Sequence, residues 1–370
     1  MLNENAQTDI VEKSLLVFEK YTRSNATRKM YRYLFVRFLN WTKINDVDGI
    51  LQLKESYLQQ LVEDYILYMR KQILPNSFQP IVASLELFFS MNDKTLNWKK
   101  IRKMIPSPVK KSGYNAWQTK DIEKMLQLTT SLRNKALLHF LASTACRIGA
   151  ISELKIKHLS DMPDNCKSVL FYEGTNEEYD GFLTPEASQI INEYLNKRRK
   201  DGEYLNDESP LFRASYQVGV QKAKPLSLNS ITQILHRLVK QIDTRKRIGN
   251  RFNVMMAHGF RKRFATIIKL DNKISWSVGE RLLGHKTYLE REYFRPVKNE
   301  LFTEFKKIMP DLIIDQSEKL RVEAHLKDEQ MRRIESQKDG LIQQLQEQIK
   351  ENEKTKTSVQ KILNHLKLAC

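Results

Sequence analysis

Residues 106–117, PSPVKKSGYNAW, place two prolines, a glycine and two lysines between long stretches that are almost free of such breakers. Proline fixes φ and removes a backbone donor, and glycine loosens the chain, so this segment reads as a linker. It divides the chain into an N-terminal helical domain, 1–105, and a second domain, 118–312. A length of 370 residues suits two cores better than one. Gly and Pro number only 12 and 10, against 41% hydrophobic and 29% charged residues. That composition predicts a packed, mainly α fold, with a small β-sheet confined to the second domain.

Apolar spacing supplies the elements. In TRKMYRYLFVRFLNW (27–41), Tyr31, Leu34, Phe35, Phe38 and Leu39 recur at helical intervals, with Arg28, Lys29, Arg32 and Arg37 around the remaining surface. Ser24 or Asn25 is the expected cap. Further helices are predicted over 54–72 and 77–92. Beyond the linker a new helix starts near Gln118, with Thr119 as cap and Asp121 and Glu123 in its first turn. Residues 133–146 read as a buried helix. Two short strands are expected within 167–184 around a Gly174–Asn176 turn, followed by a helix from Pro185. Helices are also predicted over 228–242 and 255–270, the second interrupted near Gly259.

After Pro310 the composition changes to dense Glu, Gln, Lys and Arg. Met331, Ile334, Leu341 and Leu345 share one heptad register with Lys338 at a core position, while Ile349, Val359, Ile362 and Leu366 are read as needing a shift of phase. Residues 313–370 are therefore expected to form a long helix of imperfect coiled-coil character. Such a tail either self-associates or folds back on its own domain.

Charge points to the partner. The chain carries 62 Lys and Arg against 44 Asp and Glu, a formal +18. Residues 1–116 hold 18 basic and 11 acidic side chains, 117–312 hold 33 and 23, and 313–370 hold 11 and 10. The surplus sits in the two domains rather than the tail, which a polyanion partner explains better than a general solubility device, although ribosomal or membrane-surface binding would use it too. Lys99, Lys100 and Lys103, with Lys110 and Lys111 in the linker and Arg28 and Arg32 on the first helix, are the candidate DNA contacts. Cys146, Cys166 and Cys370 are too few and too scattered for a disulfide framework or a zinc site. The polar opening MLNENAQTD and the lack of an apolar run of about 18 residues predict a soluble, cytoplasmic protein. No glycine-rich phosphate loop occurs, and the Glu177–Glu178 pair is expected to be ordinary turn surface.

Breaking a DNA phosphodiester without metal requires cationic forks for the nonbridging oxygens, an in-line nucleophile and a proton for the leaving 5′ oxygen. TACRIGAISELKIKHL (144–159) sets Arg147 just after an apolar helix. AHGFRKRFAT (257–266) sets His258 and Arg261 three residues apart, on one helix face. LLGHKTYLEREYFRP (282–296) adds His285 and, eight residues later, Tyr293.

In this order and spacing the residues resemble the tyrosine recombinases, or phage-type integrases, and the EYFRP ending with its polar tail is most similar to archaeal members. The likeness covers nearly the whole chain, with 11–105 similar to the family's core-binding domain. It implies a two-domain DNA clamp, strand exchange on duplex DNA through a 3′-phosphotyrosyl intermediate, no metal or ATP, and a homotetramer assembled on DNA. Arg147 and Arg261 are then expected to hold the scissile phosphate, His258 to contact it or assist proton transfer, His285 to hydrogen-bond a nonbridging oxygen, and Tyr293 to attack. Two positions depart from the family pattern. An acidic residue often follows the first arginine by three, where this chain has Ala150. The family's β-turn lysine has no counterpart in YEGTNEEY (172–179), which leaves Lys167 as the nearest candidate for the leaving-group acid. A type IB-like topoisomerase, or a catalytically impaired DNA-binding architectural protein, remains the alternative reading.

Overall fold

The computed structural model describes residues 14–367 except 17, 23, 45, 109–114, 216–222, 243, 249–250, 272, 286–293 and 295. The chain separates into two compact units, Met1–Lys111 and Ser112–Cys370, and the division falls inside the proline-containing segment.

The first unit is helical: α1 (Asn25–Thr42), α2 (Val47–Leu51), α3 (Glu55–Arg70), α4 (Phe78–Met91) and α5 (Trp98–Met104). Ser24 caps α1, its Oγ accepting from the Thr27 amide at 3.1 Å. The apolar face of α1 buries Phe35, Phe38 and Leu39. Phe35 stacks on Phe88 of α4 with ring centroids 3.7 Å apart, and Phe18 packs edge-on against the same ring at 5.7 Å. Removing a buried phenyl group from such a cluster costs about 3–5 kcal/mol, so this aromatic knot holds α1 against α4.

The second unit begins with α6 (Thr119–Gln127), α7 (Leu132–Thr144) and α8 (Ile148–Ile151). Gln118 rather than Thr119 occupies the cap of α6, and its amide donates to Asp121 Oδ2 at 3.0 Å. Thr119 is the first helical residue, and its hydroxyl accepts from Arg263 instead, at 3.1 Å. Helix α7 is buried continuously from Ala136 to Thr144, because neighbours cover every side of it. Strands β1 (Leu159–Asp161), β2 (Lys167–Phe171) and β3 (Tyr179–Leu183) form an antiparallel sheet in that order. The β2–β3 hairpin was legible in sequence; β1 is too short and too exposed to carry a period-2 signal.

Helix α9 (Pro185–Lys200) follows, then α10 (Leu228–Val239), the β4–β5 pair (Arg247–Ile248, Arg251–Phe252), α11 (Met256–Asp271), α12 (Trp276–Leu282) and α13 (Lys298–Leu312). Helix α11 runs unbroken through Gly259, contrary to the expected interruption. A Cβ there would stand 2.4 Å from Trp117 Nε1, so glycine serves the close approach of the indole and not a break. Trp117 in turn donates from Nε1 to the Met256 carbonyl at 2.8 Å. Two cores result, one around α7, α9 and α10, the other around α11, α12 and α13.

The tail is one continuous helix, α14 (Gln316–Lys367). Its start is fastened in cis. Glu186 accepts from the amides of Ile314 and Asp315, both at 2.9 Å. Burial alone would raise the Glu186 carboxyl, but His139 beside it and these two amides hold it below the ordinary carboxylate range. Val322 is buried and Leu326 packs on the second core, while Lys306 reaches Glu329 at 2.8 Å. From residue 330 to 362 every residue is exposed. No helix among the described residues is long and apolar enough to cross a membrane.

Candidate active site

The arginines are positioned by helix ends. Helix α7 stops where Ala145 turns into the left-handed region at φ 49°, and Arg147 follows as the N-cap of α8. Helix α12 gives way to Gly284 at φ +61°. The last carbonyls of a helix lack intrahelical partners and carry the negative end of its dipole. Both guanidinium groups settle on such carbonyls. Arg147 Nη1 donates to Gly284 O at 3.2 Å. Arg261, projecting from α11, donates from Nη1 to Ala145 O at 2.9 Å and from Nη2 to Leu283 O. Each guanidinium has five donors, so both keep N–H groups for an oxyanion.

Burial lowers the Arg261 pKa, and the neighbouring Arg147 charge adds to that effect while Tyr179 opposes it. Two cations brought this close, one of them well buried, favour an anion beside them. Glu177 in the β2–β3 turn lies 3.9 Å from Arg147, with both side chains largely exposed; such a pair is weak and easily displaced.

His285 follows Gly284. Its Nδ1 shares a hydrogen bond with Glu280 Oε2 at 2.6 Å, and its amide donates to Glu280 O at 2.9 Å. The carboxylate therefore orients the ring and leaves Nε2 as its outward nitrogen. His258 stands exposed in the first turn of α11. The structure thus gathers Arg147, Arg261 and His285 on one pair of helix ends, with His258 three residues before Arg261 on its helix. Tyr293, the expected nucleophile, lies outside the described residues, as does Tyr288.

Lys167 is not brought to this group. It opens β2 opposite Asp161, to which its Nζ is paired, while the turn beside Arg147 lies at the other end of the strand. Phe171 lies four steps along the strand from Lys167, about 13 Å at 3.3 Å per residue. Among the described residues, Lys157 meets the turn, its Nζ 2.8 Å from Glu173 Oε2.

Glu280 and Tyr179 were missed in the sequence. Tyr179 is buried, and the space above its ring is why position 284 is glycine: a Cβ there would stand 2.5 Å from the ring. Burial raises the Tyr179 phenol well above its ordinary value, while Arg261 and Arg147 pull the other way. The Cys146 thiol is likewise pushed up to about 12 by burial, which keeps it protonated and inert.

The expected DNA contacts differ in their surroundings. Arg28 donates from Nε to Glu19 O at 3.1 Å and to Thr22 Oγ1 at 3.3 Å, so it fastens the chain before α1. Arg32 pairs with Glu19 at 3.1 Å and Lys100 with Glu63 at 2.7 Å. Lys99 and Lys103 are exposed. Lys110 and Lys111 lie outside the described residues. Among the described residues, Asp164, His325 and Glu329 bring ligand atoms within 4.8 Å of one another. Lys306 Nζ, at 2.9 and 2.8 Å from the two carboxylates, already supplies the positive charge there.

The mainly helical second unit with its three-stranded antiparallel sheet shares its fold with solved recombinase and integrase structures. Residues 115–290, just under half of the chain, match the model of the phage integrase family. The chain is 24% identical over 243 residues to the tyrosine recombinase XerD of Chlamydia pneumoniae, covering 62% of this chain and 73% of that protein. Its fold is similar to XerH site-specific recombinase bound to palindromic difH substrate in a post-cleavage complex, with TM-score 0.52, 17% identity and coverage of 77% and 76% of the two chains. It is also similar to lambda integrase in a tetramer bound to a Holliday junction, with TM-score 0.51, 15% identity and coverage of 80% and 85%.

Proposed function

We propose that this chain is a site-specific DNA recombinase, or integrase, that cleaves and rejoins duplex DNA through a tyrosine. The observation that carries the reading is the capture of Arg147 and Arg261 on the carbonyls of Ala145, Leu283 and Gly284, with His285 held by Glu280 one residue further on. Fixed donors aimed where charge develops contribute more than mobile ones, because nothing reorganises during the reaction.

In this mechanism the two guanidinium groups and His285 hold the nonbridging oxygens of the scissile phosphate, displacing the weak Glu177 contact. Tyr293 Oη attacks phosphorus, its proton passing to a base for which His258 is the candidate. The bond to the 5′ oxygen breaks, that oxygen takes up a proton, and a 3′-phosphotyrosyl ester conserves the bond for religation. A 5′ hydroxyl attacking the ester reverses each step. Lys167, engaged with Asp161 at the far end of β2, does not supply the leaving-group proton in this scheme.

Duplex DNA as partner, assembly of four protomers on it and nucleoid association belong to the same proposal. The positive surplus in residues 1–312 and the likeness to XerH and lambda integrase in their DNA complexes support it. The archaeal affinity rests on the EYFRP ending and the polar tail.

A nicked suicide substrate carrying the cognate site tests the reading. Wild type is expected to form a covalent protein–DNA adduct that Tyr293→Phe abolishes and Tyr288→Phe preserves. Adduct formation by Tyr293→Phe would move the nucleophile elsewhere. No adduct from wild type on any genomic site would favour the architectural reading, and relaxation of plasmids that lack a site would favour the topoisomerase.

A further inference from the structure

The far part of the tail helix carries an apolar stripe that nothing among the described residues covers. Met331, Ile334, Leu341, Leu345, Val359 and Ile362 are each at least half exposed. A helix without tertiary packing rests on propensity alone, and Gly340 inside this one weakens it further.

Counted in sevens, the stripe keeps one register, with polar residues at four of its core positions, Gln348 and Thr355 at d as well as two at a. Met331, Leu345 and Val359 fall on a positions, and Ile334, Leu341 and Ile362 on d positions. Val359 lies four whole heptads after Met331, so the shift of phase expected from the sequence is not needed, and Leu366 occupies the next a position. Of the residues read as out of phase, only Ile349 departs, and it joins Ile342 on the adjoining e positions, widening the stripe on one side. A seven-residue register over this length, even with polar core positions in it, keeps its seam on one side only if the helix supercoils against a partner.

The polar residues in the seam say which partner. Lys338 and Asn352 sit at a positions. Asparagine at a is tolerated where it meets its own copy across a parallel pair, and there it fixes register and favours two strands. Antiparallel packing sets a against d and denies it that match. Glu351 lies at g and Lys356 at the following e, so parallel, in-register strands bring opposite charges together on both sides of the seam.

We infer that residues 330–362 form a parallel, in-register, two-stranded coiled coil with the same segment of a second copy of this chain. Residues 316–329 are occupied in cis, by Val322 and Leu326 on the second core and by Glu329 on Lys306. The tail thus divides into an anchored base and a dimerising stalk. The polar seam residues weaken the coil, so association depends on protein concentration. The inference is independent of the recombination reading, since it concerns the protein without DNA.

Sedimentation of the full chain in the absence of DNA tests it. A monomer–dimer equilibrium is expected, and Leu341→Glu with Leu345→Glu should raise the dissociation constant at least tenfold while leaving adduct formation on the suicide substrate intact. Orientation is tested with Asn352→Cys in a Cys370→Ser background: mild oxidation should yield an interchain disulfide. Glu351→Lys should weaken the dimer, and adding Lys356→Glu should restore it. A protein that stays monomeric at 100-fold increasing concentration, or a dimer indifferent to the Leu341 and Leu345 changes, overturns the stalk. A dimer of the Asn352→Cys variant that forms no interchain cross-link overturns its parallel register.

Discussion

The basic residues of the two units are held in opposite ways. Near the end of the first unit Lys99 and Lys103 stand in water on α5, and Lys100 is tied only to the surface carboxylate of Glu63. In the second unit Arg147 and Arg261 are locked onto backbone carbonyls where α7 and α12 end. A solvated lysine attracts a polyanion wherever it passes, and its effect falls with salt. A guanidinium pinned at two carbonyls, as that of Arg261 is, has lost its rotamer freedom before any ligand arrives, so it distinguishes one geometry from another. Under the proposed function, the contrast assigns attraction of DNA to the solvated lysines and chemistry to the pinned arginines.

The largest test of that contrast is Arg261→Ala. Removing one preorganised oxyanion donor costs about 10²–10³ in rate, and single-turnover adduct formation should fall that far while DNA affinity changes by less than tenfold. Equal losses in affinity and rate would erase the distinction. Glu280→Ala should act through His285, lowering the adduct rate by about tenfold because the imidazole loses its orientation. Unchanged kinetics would show that the Glu280 contact is only structural. The smallest effect is expected from Lys99→Ala with Lys103→Ala, which should reduce the slope of log affinity against log salt by about 2 and leave the rate of the bound complex alone. An altered cleavage rate there would show that these lysines do more than attract.

Much of the helical framework was legible because period-3.6 patterning is local. The predicted 27–41, 54–72 and 77–92 segments correspond to Asn25–Thr42, Glu55–Arg70 and Phe78–Met91. The break expected at Gly259 did not occur, since its reason is the indole of Trp117, more than a hundred residues away. Glu280 escaped notice because its partnership with His285 depends on the left-handed turn at Gly284. Lys167 was chosen by proximity in sequence to the turn, yet strand register sends it to the opposite end of the hairpin, beside Asp161.

The sequence by itself determined which residue types this chain has for phosphate chemistry, their order, and the apolar repeats that make its helices. Spacing along a chain suffices for that, because helix faces and heptads are set by neighbours a few residues apart. Only the tertiary structure decided that Arg147 and Arg261 would meet, and what would hold them. Their acceptors are the unpaired carbonyls of two helix ends, which exist only once α7, α11 and α12 have packed together.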